Sequence, residues 1–158
     1  MTRVWAKKGS RPVVLRQNGR ENSYIFGAAN PRTGSHVGLV FSTCDTAAMN
    51  LHLSMISSAL ASATHAILIV DGAGWHSSKE LLVPANITLL HLPPYSPELN
   101  PIERLWLHVK DRYLSNRLFS DLNEILEAGM EAWRALTDAE IRSICRVSWL
   151  PGEESPAA

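Results

Sequence analysis

The spacing of apolar residues divides the first part of the chain into strand-like runs followed by a helix-like run. Between residues 13 and 42, the short β-branched and aromatic runs PVVLRQ, SYIFGAA and HVGLVFS are separated by the turn sequences NGR and NPRTG. This pattern predicts three strands, with the hairpin dipeptide Asn18-Gly19 between the first two. In residues 46–61 the apolar positions recur at helical spacing, which predicts a helix with Asp45 or Thr43 as its N-cap.

A second apolar run, AILIV at residues 66–70, is too short for a helix. It predicts a strand buried on both faces in the middle of a sheet. Asp71 follows this strand directly. The loop GAGWHSS then leads to KELLV, which we predict as a short helix ended by Pro84, and to a strand over residues 87–92.

The remainder of the chain has helical periodicity. The proline-rich run PPYSPELNP leads into a helix with apolar residues at Ile102, Leu105 and Trp106, and further helices are predicted over residues 122–136 and 137–147. The tail, residues 151–158, is predicted to be disordered. The order of elements predicts one domain over residues 1–150, an α/β fold with a mixed sheet flanked by helices.

Composition excludes several classes of protein. The chain has 158 residues with 15 Lys and Arg against 15 Asp and Glu, and this neutral balance argues against a free-standing DNA-coating protein. No apolar run approaches the roughly 20 residues that cross a bilayer, so we predict a cytoplasmic protein with no membrane segment. Cys44 and Cys145 lie far apart without metal-ligand spacing and are predicted to be reduced and structural.

Two carboxylates stand where a divalent cation is expected to bind. Asp71 lies at the carboxyl end of a predicted strand, where ligands gather in α/β sheets, and Glu103 begins the helix after the next strand. Paired carboxylates suit metal-assisted cleavage of a phosphodiester. Each acid also has a structural interpretation. Asp71 is equally a turn residue, and the run NPIE at residues 100–103 has the form of a capping box, which local sequence favours for Glu103.

Other candidates have weaker support. Glu98 is an alternative acid that we expect to be exposed in the turn, and His76 is more typical of a hydrogen-bonded loop residue than of a ligand. Trp75 and Tyr95 are candidates for stacking on nucleic-acid bases, whereas Trp106 lies on the apolar face of its helix and is predicted to be core.

The motif LIVDGAGWH followed by LPPYSPELNPIERLW closely resembles the DDE transposases of bacterial insertion sequences, in the insertion sequence 630 group of the Tc/mariner-like superfamily. The resemblance extends upstream through MNLHL, YIFGAANPRTG and RVWAKKGSRP and ends at about Phe119. It implies a ribonuclease H-like fold in which three carboxylates hold two Mg²⁺ (or Mn²⁺) ions. The implied reaction cuts DNA at the transposon ends and joins the freed 3′-hydroxyl to a target TA site.

By this resemblance Asp71 is the second acid and Glu103 the third, with 31 residues between them. The family's first acid lies in a DE pair on a first strand before the RVWAKKG-like stretch, and no residue of this chain matches it. Glu21 stands in a predicted turn and Asp45 in a predicted cap. We therefore expect a catalytic domain truncated at its amino end, which lacks the central strand between those near Tyr24 and Ile67.

The resulting hypothesis is an incomplete transposase catalytic domain that acts on DNA. The alternative is an inactive remnant that serves as a DNA-associated or self-associating module, and a third interpretation is a hydrolytic ribonuclease H-like nuclease. The sequence does not decide between a monomer and a homodimer.

Overall fold

The computed structural model describes residues 7–9, 22–72, 78–115 and 117–149. The predicted strand PVVLRQ, the Asn18-Gly19 hairpin and the tail lie outside the described residues. The elements found are β1 (Tyr24–Ala29), β2 (His36–Phe41), α1 (Thr46–Ala59), β3 (Ala66–Val70), β4 (Ile87–His91), α2 (Ile102–Val109), α3 (Leu122–Arg134) and α4 (Asp138–Ile144). The predicted α/β class is confirmed.

Strands β1 and β2 form an antiparallel hairpin with Tyr24 opposite Phe41 and Ala29 opposite His36. The Asn30 side chain organises the turn because its Oδ1 accepts the backbone N–H of Arg32 at 2.9 Å. Gly34 completes the turn at a φ of 84°, a left-handed conformation that glycine adopts without steric cost.

Strands β3 and β4 form a separate parallel pair in which Ala66 lies opposite Ile87 and Val70 opposite His91. Within the described residues no hydrogen bonds join this pair to the β1–β2 hairpin. The expectation that β3 is buried on both faces is wrong, because 68% of the Ile67 surface is exposed. Helix α1 covers the opposite face of this strand pair, where Leu68 and Leu89 pack.

Helix α1 packs against both strand pairs. The Asp45 side chain caps it as predicted, accepting the N–H of Ala48 at 2.8 Å. Leu53 is fully buried at the centre of this contact. The buried residues around it come from β1, α1 and β4: Phe26, Ala48, Met49, Ile56 and Ile87. This cluster holds together the two strand pairs, which no hydrogen-bonded strand connects within the described part of the chain.

Helices α2, α3 and α4 cover the other face of the hairpin. Trp133 of α3 lies across this face against Gly27 and Gly38, and a Cβ at either glycine would collide with its indole ring. The ring centroids of Trp133 and Trp106 are 5.4 Å apart, so Trp106 packs in this core as predicted. No helix in the described ranges is long and apolar enough to cross a membrane.

The predicted helix KELLV is wrong. This segment is held in an irregular conformation because Asn50 of α1 binds its backbone, donating to the Glu80 carbonyl at 3.1 Å and accepting the Leu82 N–H at 2.8 Å. Leu81 packs on the α1 cluster. These contacts to a distant helix outweigh the weak helical preference of five residues.

Candidate functional site

Asp71 and Glu103 line the same cavity, which has a volume of about 230 Å³. Asp71 lies immediately after β3 and is exposed, and Glu103 lies exposed in the first turn of α2. Because β3 and β4 are parallel, the chain that leaves β4 begins at the same sheet edge as Asp71. The described structure therefore brings the two predicted acids to one site.

The start of α2 is fixed by hydrogen bonds around Asn100. A short 3₁₀ turn, Pro97–Leu99, leads to Asn100, whose side-chain Oδ1 accepts the N–H of Ile102 at 3.4 Å. The Asn100 carbonyl accepts the N–H of Glu103 at 3.2 Å. The helix begins one residue later than the sequence predicts, with Pro101 at the N-cap position. This arrangement directs the first turn of α2 towards the end of β3.

The capping-box interpretation of Glu103 is wrong. In a capping box its carboxylate would accept the N–H of Asn100, but that N–H donates to the Pro97 carbonyl at 3.0 Å. No hydrogen bond joins the Glu103 carboxylate to another described residue, and the side chain that accepts an N–H at the start of α2 is that of Asn100. Glu103 therefore lines the cavity without a structural task at the helix terminus.

Two other glutamates show what a capping carboxylate looks like in this chain. Glu140 accepts the N–H of Thr137 at 3.0 Å and its hydroxyl at 2.8 Å, which completes a capping box on α4. Glu124 accepts the N–H of Ser120 in the same way. Hydrogen bonds from these backbone N–H groups lower the pKa of both Glu140 and Glu124 below the ordinary glutamate value. Glu103 differs from these two glutamates because its carboxylate accepts no such hydrogen bond from a described residue.

The cavity wall includes polar residues that the sequence reasoning missed. His52 of α1 is 3% exposed, its Nε2 lies 3.3 Å from the Val37 carbonyl oxygen, and its ring centroid lies 6.0 Å from that of Phe26. Asn100 lines the same cavity. In the sequence, His52 stands at a position where the helical spacing of α1 calls for an apolar residue, which could have indicated a site residue. Asn100 belongs to the same motif as Glu103, which could have indicated it as well.

The remaining candidates lie apart from the cavity or outside the described ranges. Glu98 is exposed and does not line the cavity, and Trp75 and His76 belong to the residues that are not described. Asp45 is engaged as the cap of α1. Tyr95 is fully exposed in the segment after β4 and has a φ of 59°. It therefore stands at the same end of β4 as the two acids.

The candidate metal ligands in the cavity are two carboxylates, Asp71 and Glu103, whose oxygen atoms suit a hard cation. Among the residues described, no group of three or more His, Cys, Asp and Glu side chains lies close enough to hold a metal ion. Asp71 and Glu103 offer carboxylate oxygens, which Mg²⁺ and Mn²⁺ prefer, and the exposed cavity leaves room for water ligands. These oxygens are of the type that binds a divalent ion with part of its hydration shell retained.

Comparison with known proteins gives consistent matches. Residues 1–126 match the family described as DDE superfamily endonuclease. The chain is 48% identical over 129 residues to an uncharacterized protein, y4pE/y4sA, of Sinorhizobium fredii, a match that covers 80% of this chain and 96% of the relative. It is 31% identical over 72 residues to the transposable element Tc3 transposase of Caenorhabditis elegans, covering 45% of this chain and 22% of the relative.

An uncharacterized 39 kDa protein of insertion element IS630 from Shigella sonnei is 27% identical over 128 residues. That match covers 78% of this chain and 37% of the relative. The chain thus spans nearly all of the Sinorhizobium relative and well under half of the Tc3 and IS630 proteins. No solved structure matches the chain.

Proposed function

Because the chain belongs to the DDE superfamily of endonucleases, we propose that it is the catalytic portion of an insertion-sequence transposase of the Tc/mariner-like type. Its reaction is metal-dependent cleavage of DNA at transposon ends followed by transfer of the 3′-hydroxyl strand to a TA target. The observation that carries this proposal is the cavity shared by Asp71 and Glu103, since the two acids are 31 residues apart in sequence and belong to different elements.

In this proposal Asp71 and Glu103 are metal ligands and catalytic residues. Mg²⁺ or Mn²⁺ bound there would supply activation of the attacking oxygen and stabilisation of the leaving oxygen. The side chains contribute hard, negatively charged oxygen atoms. Asn100 and Pro97 position Glu103, because their backbone hydrogen bonds fix the turn from which Glu103 projects. The free carboxylate of Glu103 supports the assignment.

We propose further that the domain over residues 1–150 has the ribonuclease H-like arrangement of DDE endonucleases, with a place for one more strand between β1 and β3. The first acid is assigned to no residue of this chain. Asp45 is unsuitable because its carboxylate binds the N-terminus of α1. With two of three acids, the isolated chain is expected to have weak or no strand-transfer activity.

We propose DNA as the partner of the chain and the cytoplasm as its location. The names of the similar Tc3 and IS630 proteins, a transposase and an insertion-element protein, support this partner. Exposure of Tyr95 at the acidic end of the sheet supports a nucleic-acid contact there, since an exposed aromatic ring stacks on any base. Homodimerisation stays a prediction.

A metal titration tests the site directly. Mn²⁺ is added to the full chain, and paramagnetic broadening of backbone amide signals is followed by NMR. We expect selective broadening around Asp71 and Glu103, lost in Asp71→Asn and in Glu103→Gln. Glu98→Gln is the matched control because Glu98 is exposed and lies outside the cavity. Equal broadening in the wild-type chain and both site variants would refute the metal site.

An activity assay tests the reaction. The chain is incubated with Mg²⁺ and a duplex carrying the terminal repeat of the element that encodes it. We expect little or no strand transfer from the chain alone. Robust cleavage that Asp71→Asn abolishes would refute the need for another acid, and cleavage without strand joining would favour a hydrolytic nuclease.

The second candidate function is the inactive remnant, a DNA-associated or self-associating module. The small ligand set within the described residues favours it. The DNA upstream of the start codon discriminates the two: a DE-containing strand encoded there, in frame or in a shifted frame, supports the transposase, whereas unrelated sequence supports the remnant.

A further inference from the structure

Helix α2, which carries Glu103, has only eight residues. A helix this short is marginal in water without tertiary contacts, so its neighbours decide how it is rotated about its axis. Its buried residues, Leu105 and Val109, pack in one apolar cluster with Ile141 and Cys145, which lie in α4 and at its carboxyl end. Apolar contact has no preferred direction, so this cluster fixes the place of α2 more firmly than its rotation.

A directional contact is made by Arg104, the residue after Glu103. Its Nη2 donates a hydrogen bond to the Arg146 carbonyl at 2.8 Å. This carbonyl lies just beyond the carboxyl end of α4, where the helix dipole favours a cation. Hydrogen bonds from an ionised donor are among the stronger ones in proteins, and they weaken steeply when their angle is distorted. The bond therefore ties the first turn of α2 to the end of α4.

Helix α4 is itself held on the β1–β2 hairpin. Arg142 Nη1 donates to the Thr33 carbonyl in the hairpin turn at 2.8 Å. The backbone of Asp138 lies so close to Gly34 that a Cβ at Gly34 would collide with it. Neither contact involves α2. Helix α4 is thus a support that is fixed on the hairpin, and Arg104 joins α2 to this support.

Glu103 and Arg104 are neighbours in α2, so their side chains leave the helix about 100° apart. Glu103 faces the cavity that also contains Asp71, and Arg104 faces the end of α4. A rotation of α2 by about 20° would move a group at the helix surface, about 5 to 6 Å from the axis, by about 2 Å. Because Mg²⁺ binds oxygen at about 2.0 to 2.1 Å in a strict geometry, such a shift would separate Glu103 from a metal held by Asp71.

We propose that Arg104 is a positioning residue for Glu103. Through its bond to the Arg146 carbonyl it fixes the rotation of α2, and thereby the place of the Glu103 carboxylate relative to Asp71. Arg146 follows residues 1–126, the part of the chain that matches the DDE endonuclease family. The placement of Glu103 thus depends on a helix that lies after this part. The proposal rests on the proposed function only in taking Glu103 as a metal ligand.

The charge of Arg104 alone predicts the opposite effect on metal binding. Arg104→Met removes a positive charge beside a carboxylate that binds a cation, so electrostatics alone would strengthen Mn²⁺ binding. Loss of positioning weakens it, because the two carboxylates no longer meet the ion together. A merely structural role lowers Tm and leaves the Mn²⁺ affinity of the folded chain unchanged. The sign of the change in affinity therefore separates the three explanations.

The first measurement needs no metal. Nuclear Overhauser effects between the ring protons of Trp106 on α2 and Trp133 on α3 report the rotation of α2, since the ring centroids lie 5.4 Å apart and the effect falls steeply with distance. We expect these signals to change about twofold or more in Arg104→Met, as a displacement of about 2 Å requires. They should stay the same in Arg142→Met, the matched control, which loses a guanidinium–carbonyl bond of α4 that does not involve α2. Unchanged signals in Arg104→Met would overturn the proposal whether or not the chain binds metal.

The second measurement is the Mn²⁺ affinity, taken from the paramagnetic broadening around Asp71 and Glu103. We expect it to fall about fivefold or more in Arg104→Met, somewhat less than for residues that bond to a metal ligand directly, and less than about twofold in Arg142→Met. Unchanged or tighter binding in Arg104→Met would overturn the proposal. If the wild-type chain shows no selective broadening, the proposed metal site fails, and the ring signals of the metal-free chain still decide whether Arg104 fixes α2.

Arg104→Lys provides a rescue variant. Lysine keeps the positive charge and a donor for the Arg146 carbonyl, although it lacks the planar fork of arginine. We expect the Mn²⁺ affinity of this variant to return to within about twofold of wild type. A loss as large as in Arg104→Met would show that the bond to the Arg146 carbonyl is not the cause and would contradict the proposal. Arg104→Gln, whose side chain is too short for this bond, takes the place of Arg104→Met if that variant does not fold.

Discussion

The two helix-terminal glutamates, Glu103 and Glu140, are predicted to differ in how strongly the same substitution changes the stability of the chain. Each lies in the first turn of its helix, so Glu→Gln removes a favourable charge from the positive end of a helix in both. Only Glu140 also accepts hydrogen bonds, from the N–H and hydroxyl of Thr137. The difference between the two variants therefore reports the capping interaction together with the ion pair between Glu140 and Arg112, whose atoms lie 3.4 Å apart.

The magnitude follows from those contacts. Loss of the charged acceptor in Glu140→Gln weakens two exposed hydrogen bonds, which we expect to lower the free energy of unfolding by about 1 kcal/mol. For a domain of this size that is a fall of about 2 to 4 °C in Tm. Glu103→Gln lacks this loss and is expected to change Tm by less than about 1 °C.

Thermal unfolding followed by circular dichroism, without metal, measures both values, and the Mn²⁺ titration measures the separate loss of metal binding in Glu103→Gln. The pH dependence provides a check of sign. Because the folded-state pKa of Glu140 is lowered, its stabilisation is present above the ordinary glutamate pKa and is lost as the pH falls through the folded value. The Tm difference between wild type and Glu140→Gln should shrink in that acidic range. An equal fall in Tm for both variants at neutral pH would show that Glu103 is a capping residue after all.

Three further substitutions test the fold around the site. Gly27→Ala is expected to destabilise the chain by about 1 to 3 kcal/mol in urea unfolding, because its Cβ would collide with the Trp133 ring. Asn50→Ala removes the bonds that hold the segment after residue 78, so the Leu82 amide should exchange faster while α1 stays protected. Tyr95→Gly should raise stability by up to about 1 kcal/mol, since Tyr95 is fully exposed at a φ of 59° and loses no packing. Unchanged stability of Gly27→Ala would contradict the first expectation, and an unchanged exchange rate of the Leu82 amide in Asn50→Ala the second. Lower stability of Tyr95→Gly would contradict the third.

Local patterns predicted the elements that depend on local interactions. Helix α1 and its Asp45 cap follow from spacing and from a side chain that binds three residues ahead. The meeting of Asp71 with the start of α2 follows from the shared edge of parallel strands. The run NPIE also predicts the helix start near Asn100, although Glu103 does not take the capping-box role that the local sequence favours.

The three errors have different physical origins: a distant side chain, a neighbouring turn, and a strand face that no described residue covers. The KELLV segment is held by Asn50, 30 residues before Glu80, and five residues cannot show this in their own sequence. The supposed capping box at Glu103 fails because a 3₁₀ turn before it takes up the Asn100 N–H. The apolar run of β3 indicates burial on both faces, yet Ile67 is exposed where the described chain provides no cover.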